Sequence, residues 1–465
     1  VKKIQVAAFV AALALASVGY AFADSGSNLK GVKYTVIVEG YDWGPNVRAL
    51  ILDFGQPVVS SSVNKDSFAI SVERMDRVTG GYVQAMDWAT MKAHDSKGSR
   101  TVIDAYVSDA PGKRIAAKAG KYVTVEMKVG PEEEMASPFN FDIKTFLNSY
   151  VDVNHTITVC GDLSFANGKS LKGAVIGPDA AVAVKSLVAD DFDTKGVSDF
   201  VDPVYGKITL HYASFSPAKD SKKNPLIIWL HGAGEGGTNP YIALLGNRVT
   251  ALAEDPAQKI FGGAYVLVPQ TPRVWMNNGQ KSYPEDGTTQ YTKALKNLID
   301  GYIAKHPDID TRRIYLGGCS NGGYMTVNMI LSYPEFFTAA YPSCEAYADR
   351  WISDAQIESI KNVPIWFTQA KNDTTVKAAE GGYVLQTYQR LIAAGAKNVH
   401  LTYWDNVVDL SGMWKKADGS PYEYNGHWSW IYALNDQCQN DFDGKTVEID
   451  GKLVAIMEWL AAQSK

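Results

Sequence analysis

The hydrophobic pattern of this chain changes period once, and that change limits the fold more than any other feature. From residue 28 to about 182, apolar and polar residues alternate. Residues 33–39 (KYTVIVE) open the pattern, 67–73 (SFAISVE) place Phe68, Ile70 and Val72 on one side, and 122–129 (YVTVEMKV) and 155–159 (HTITV) repeat it. Successive side chains of a strand point to opposite faces, so a period of two means a strand with one buried face. Turn residues separate these runs and no amphipathic helix interrupts them. Residues 28–182 therefore predict an immunoglobulin-like β-sandwich.

After about residue 201 the apolar runs become continuous, as in 225–230 (PLIIWL), 264–268 (AYVLV), 313–317 (RIYLG) and 363–368 (VPIWFT). Strands that are apolar on both faces belong to a parallel sheet covered by helices. Helical patterns lie between them. Residues 291–306 put Leu295, Leu298, Ile299 and Tyr302 on one stripe, and 322–333 and 382–394 are further candidates. Alternating strands and helices predict an α/β domain over 205–465. Residues 183–204, rich in Asp with Gly and Pro, read as a linker between the two.

Composition narrows the partners. A net charge of -5, with no basic stripe, excludes nucleic acid as an expected ligand. Lys2 and Lys3, an apolar run over 6–18 and Ala21-Phe22-Ala23 have the order of a secretory leader. The expectation is cleavage after Ala23 and a periplasmic or secreted protein. Four cysteines, at 160, 319, 344 and 438, are too few for a disulfide scaffold. Spacing does not choose a pairing; Cys344 with Cys438 is the favoured bridge, against a reading in which all four stay thiols. No metal-ligand cluster or dinucleotide fingerprint is present, so no cofactor is expected.

The chemistry concentrates in 317–323, GGCSNGG. Gly318-Cys319-Ser320-Asn321-Gly322 matches G-x-S-x-G between an apolar strand and a helical pattern, the setting that exposes a serine on a sharp strand-to-helix turn. A serine hydroxyl needs a base, and in this arrangement the chain order is serine, acid, histidine. Only His400 and His427 follow Ser320. His400 lies inside a strand-like run, 398–404, whereas His427 lies in a glycine-led loop and can reach a serine at a sheet edge. The acid is expected at the end of a strand, which selects Asp373 over Asp405, Asp409, Asp349 and Asp354. An oxyanion hole needs backbone donors. The N–H of Asn321 supplies one, and Ala233 or Gly234 in the run 230–237 (LHGAGEGG) supplies the other, with His231 anchoring that loop.

HGAGEGG, GGCSNGGYM, KNDTTV and GHWSW together resemble the α/β-hydrolase esterases with an N-terminal immunoglobulin-like domain, a group often labelled prolyl-oligopeptidase-like or predicted peptidase. GYDWGPNVRALILDFG, residues 40–55, is similar to the opening of the esterase immunoglobulin-like domain. The resemblance implies carboxylic ester hydrolysis by a triad of Ser320, Asp373 and His427. Fold kinship alone does not set substrate, so a serine peptidase and a non-catalytic glycan-binding surface protein stand as alternatives. Aromatic residues crowd the site loops. Trp275, Trp414 and Trp428 are candidate substrate contacts, suited to a sugar ring or a phenolic acyl group, and the long stretch 405–426 is a candidate wall of the acyl pocket. The expected partner is a small ester or one carried on plant polysaccharide.

Overall fold

The computed structural model describes residues 31–87 and 92–465. The expected leader lies outside the described residues. The alternating half forms two facing sheets. Their strands are β1 (Lys33–Tyr41), β2 (Gly44–Val59), β3 (Phe68–Asp76), β4 (Lys97–Arg100), β5 (Val102–Ser108), β6 (Ala119–Met127), β7 (Phe139–Asp142), β8 (Leu147–Val159), β9 (Val175–Ile176) and β10 (Ala181–Ser186). One sheet has the order β10-β1-β2-β6-β5 and the other β9-β8-β3-β4, with β7 pairing on β8. Phe68, Ile70 and Val72 all face the core, as their alternation requires.

The second half contributes β11 (Asp193–Asp202), β12 (Gly206–Phe215), β13 (Asn224–Leu230), β14 (Tyr265–Gln270), β15 (Ile309–Cys319), β16 (Ala339–Ser343), β17 (Ile365–Ala370) and β18 (Val399–Trp404). They form one sheet in the order β11-β12-β14-β13-β15-β16-β17-β18. β12 is antiparallel to both its neighbours, and the strands from β14 to β18 pair in parallel. Every residue of β13, β14, β16 and β17 is buried, which is why these segments lack alternation. Helices α1 (Thr292–Lys305), α2 (Asn321–Ser332), α3 (Val384–Ala393) and α4 (Trp430–Leu434) flank the sheet. Leu295, Leu298, Ile299 and Tyr302 form the buried stripe of α1.

The expected linker is a correction. Residues 181–186 are β10, a parallel addition to the sandwich beside β1, and 193–202 are β11, the outer strand of the second sheet. Only 187–192 join the domains. Asp and Gly there disguised a solvated edge strand whose side chains alternate between exposed and partly exposed.

The two domains share apolar core and polar contacts. One buried cluster runs from Leu50 and Val123 in the sandwich through Ala243 and Leu245 to Trp229 and Trp366 under the second sheet. Arg248 reaches Asp42 at 3.3 Å and Asn435 at 2.9 Å, and the Asn435 amide donates to the same Asp42 oxygen at 3.0 Å. GYDWG therefore serves as the turn that seats the sandwich on the α/β domain.

Candidate active site

β15 ends at Cys319 and α2 begins at Asn321, leaving Ser320 alone at the turn with φ 55° and ψ -113°. A non-glycine residue in that region costs about 1–3 kcal/mol and persists only where its surroundings enforce it. The neighbouring glycines do not take the strain, because none of the four has positive φ. They permit proximity instead. A Cβ at Gly322 would lie 1.9 Å from the Leu230 carbonyl oxygen, and one at Gly318 would lie 2.7 Å from that same oxygen. The elbow is thus pressed onto the end of β13, and the serine carries the turn.

The Ser320 N–H donates to the Ser343 carbonyl at 3.0 Å, and its own carbonyl accepts from Tyr324 N–H at 2.9 Å. β13 leads directly into the glycine loop. Ala233–Glu235 form a single turn of 3₁₀ helix in which Ala233 and Gly234 are partly exposed. His231 is fully buried. Its Nδ1 lies 2.6 Å from the Gly232 carbonyl and its Nε2 accepts from Thr271 N–H at 3.1 Å, which makes it a neutral anchor donating through Nδ1. Burial holds its pKa down at about 4.

His427 and Asp373 come together as expected. His427 Nδ1 meets Asp373 Oδ2 at 2.8 Å. The carboxylate is fixed on every side: Oδ1 accepts from the N–H groups of Thr375 and Val376 at 2.8 and 2.9 Å, and Oδ2 also accepts from the Gln369 amide at 2.9 Å. Burial alone raises the Asp373 pKa, but the hydrogen bond and charge of His427 and these donors outweigh it, so the carboxyl sits below its ordinary value. With Asp373 ionised, His427 Nδ1 is held as the donor and Nε2 is left as the basic nitrogen. No direct Ser320–His427 hydrogen bond occurs among the described residues. The two loops meet at the end of β16: Ser320 N–H binds the Ser343 carbonyl, and the Thr368 carbonyl accepts from Cys344 N–H at 2.8 Å and from Ser429 Oγ at 3.2 Å. The β16–β17 pairing of Ser343 with Thr368 brings the strand ends together.

The rival acids are engaged elsewhere. Asp405 pairs with Lys371, Asp409 accepts from Ser411 Oγ and Trp414 N–H, and Asp349 and Asp354 both bind Arg390. His400 sits within β18, as its strand-like setting predicts. The expected Cys344–Cys438 bridge is absent: both are buried thiols, and Cys438 lies 3.4 Å from Thr368 Oγ1.

One of the three tryptophans is corrected, and a second lies in a cleft between the domains. Trp275 has no exposed surface; it packs edge-on to Tyr291, and its backbone N–H donates to Asn321 Oδ1 at 2.5 Å. It braces the first residue of α2 and presents nothing to a ligand. Trp414 meets Trp43 of the sandwich edge-to-face at 4.6 Å, and with Asp409 and Met413 lines a cleft between the domains. The stretch 405–426 is therefore seated on the sandwich through Trp414. Trp428 stays partly exposed near the pair, in a ring series with Trp430, which lies edge-on to His427 at 5.9 Å.

Sequence reasoning missed Gln369, the amide behind Asp373, and Asn148, whose amide donates to the Gly234 carbonyl at 3.1 Å from the other domain. Gln369 follows directly on the predicted strand 363–368, inside the observed β17, and could have been suspected; Asn148 carries no local signal. It also missed two buried carboxyls. Burial raises Glu235 to about 7 against the donors around it, and burial, with Asp349 nearby, raises Glu345 to about 8. Among the described residues, no group of three or more His, Cys, Asp or Glu side chains is placed to hold a metal ion.

An eight-stranded, mostly parallel sheet with a strained serine between strand and helix, a glycine loop beside it and a His–Asp pair at the following strand ends defines an α/β hydrolase. Residues 33–172 match the family described as the esterase Ig-like N-terminal domain, and residues 214–405 match the phospholipase/carboxylesterase family. The two matched segments correspond to the sandwich and to most of the α/β domain described above.

Relatives agree on the fold. The solved structure of a thermostable esterase superposes with a TM-score of 0.69 at 23% identity, covering 93% of this chain and 100% of that one. Acetylxylan esterase A of Talaromyces purpureogenus is 25% identical over 175 residues, 35% of this chain and 44% of that protein. Feruloyl esterase B of Neurospora crassa is 30% identical over 129 residues, 27% of this chain and 40% of that protein. The chain spans less than half the length of the curated relatives it matches.

Proposed function

We propose that this chain is an exported serine esterase that hydrolyses carboxylic esters carried on plant polysaccharide, with Ser320 as nucleophile, His427 as base and Asp373 as orienting acid. The observation that carries the reading is the buried His427–Asp373 pair, 2.8 Å apart, in loops of the same parallel sheet whose strand end carries a serine held at φ 55°. The names of the acetylxylan and feruloyl esterase relatives support the substrate class. The order of residues 2–23 supports export.

The chemistry follows from the placement. Ser320 Oγ attacks the ester carbonyl carbon as its proton passes to His427 Nε2. Asp373 stabilises the imidazolium and keeps Nδ1 as donor. The tetrahedral oxygen takes hydrogen bonds from the N–H of Asn321 and from that of Ala233 or Gly234; one such donor is worth about 3 kcal/mol in comparable sites. Collapse expels the alcohol, protonated by His427, and leaves the acyl group on Ser320. Water, deprotonated by His427, attacks that ester, and the acid leaves with Ser320 restored.

The test compares the mature wild type with Ser320→Ala on p-nitrophenyl acetate and butyrate, methyl ferulate, acetylated xylan and a proline-containing peptide anilide. Ester turnover that disappears with Ser320 is the expected result. Peptide cleavage without ester turnover would replace the reading with the peptidase alternative. Turnover that survives the substitution would remove Ser320 from the mechanism.

A further inference from the structure

The sandwich reaches the glycine loop through one hairpin, β7–β8. Asn148 of β8 stands directly opposite Phe141 of β7, so both side chains share a face. That face meets Gly234. The Asn148 amide donates to the Gly234 carbonyl at 3.1 Å and approaches Glu235 Oε1 at 3.4 Å, and the Phe141 ring edge lies 3.6 Å from where a Gly234 Cβ would be. The loop in turn touches the elbow, because a Cβ at Gly232 would sit 3.5 Å from Cys319 Sγ. The hairpin is one residue contact from the expected oxyanion donors.

Its turn breaks two rules at once. Phe141, Ile143 and Phe146 are 50%, 67% and 51% exposed, where a hairpin tip is ordinarily polar. The Phe141 and Phe146 rings meet edge-to-face at 6.2 Å, so they form one patch. Phe146 also has φ 56°, at the position of a hairpin turn that ordinarily takes glycine. Its N–H closes the turn on the Asp142 carbonyl at 2.8 Å, while the Asp142 carboxylate holds Lys144 N–H and Thr145 Oγ1. A bulky residue kept in a strained conformation, with its ring half in solvent and packed only against another half-exposed ring, gains little packing in return. Such conflicts collect where a surface is used.

We propose that the β7–β8 hairpin is the outer wall of the ester-binding cleft, with Phe141, Ile143 and Phe146 receiving the apolar or aryl part of the acyl group and Asn148 fixing the hairpin to the oxyanion loop. This rests on the esterase reading above. The occupant is an acyl group larger than acetyl, because the hairpin meets the glycine loop at Gly234 and not at Ser320 itself. The sandwich then takes part in selecting the acyl group.

The experiment measures kcat/KM for methyl ferulate, p-nitrophenyl butyrate and p-nitrophenyl acetate, together with thermal midpoints, for wild type, Phe146→Gly, Phe146→Leu and Phe141→Ser. Phe146→Gly relieves the left-handed strain, so its midpoint should equal or exceed that of wild type. Its preference for ferulate over acetate should nevertheless fall about tenfold, the scale of losing most of one apolar side-chain contact. Phe146→Leu keeps an apolar contact and should fall between. Phe141→Ser should lower the same ratio. An unchanged preference in folded Phe146→Gly and Phe141→Ser would overturn the proposal while leaving the esterase reading intact. Absence of Ser320-dependent ester turnover in the wild type would remove both. A lowered preference that tracks a lowered midpoint across the series would make the hairpin structural and also overturn it.

Discussion

The α/β domain holds two His–Asp pairs, and they are nearly the same in local geometry. His427 Nδ1 lies 2.8 Å from Asp373, and His400 Nδ1 lies 2.7 Å from Asp441. In both carboxyls, burial pushes the pKa up and the histidine hydrogen bond and backbone donors bring it below the ordinary value. Both carboxylates accept two backbone N–H groups. The pairs differ in where the strands put them. His400 is inside β18, its ring 5.1 Å from Trp366 and edge-on to Trp459, and Asp441 also takes the Tyr388 hydroxyl. His427 is on a loop, its N–H bound to Asn425 Oδ1, and its partner Asp373 follows β17, one strand removed from the Ser320 elbow. A hydrogen-bonded His–Asp pair is therefore no sign of chemistry in itself; the free imidazole nitrogen must face something that can react.

That contrast yields graded predictions. His427→Ala should cost several orders of magnitude in ester kcat while the protein stays folded. His400→Ala should keep kcat within a few-fold and instead lower stability by about 1–3 kcal/mol, because Asp441 loses a partly buried partner. Measuring kcat and the unfolding midpoint on both variants checks the split, and a large rate loss in His400→Ala would break it.

A smaller effect concerns Glu345, which lies behind α2 with one carboxyl oxygen lacking a hydrogen-bond partner. Burial raises this carboxyl to about 8 from 4.5. The unfolded chain therefore gives up its proton near pH 4.5 while the folded protein keeps it until about 8, so this residue makes the fold progressively less stable as pH rises across that window. Glu345→Gln should match wild type in thermal midpoint near pH 5 and exceed it by a few degrees at pH 8. An equal difference at both pH values would mean that Glu345 is not held protonated.

The legible and illegible parts of the molecule divide along the same line. Period two and continuous apolar runs identified both domains, because burial on one face or two writes itself into every strand. The elbow at Ser320 and the pairing of His427 with Asp373 were legible because the strand-to-helix turn and the strand-end loops have local signatures. Trp275 misled because an aromatic in a glycine-rich loop reads alike whether it faces substrate or braces α2. Asn148 and Phe146 were invisible, since their meaning comes from a contact with Gly234 across 86 residues of chain and from a turn whose strain only the backbone reveals. The 183–204 linker failed because an edge strand with solvated side chains carries the composition of a loop.

The central claim is that Asp373, and not its twin, orients the base for Ser320. The most direct measurement is kcat/KM for p-nitrophenyl acetate in Asp373→Asn and Asp441→Asn, each compared with wild type. The account predicts a loss of about 10³–10⁴ for Asp373→Asn, the scale of a lost triad carboxylate, and a change of no more than a few-fold for Asp441→Asn. Equal losses in the two variants, or near-wild-type turnover in Asp373→Asn, would contradict it.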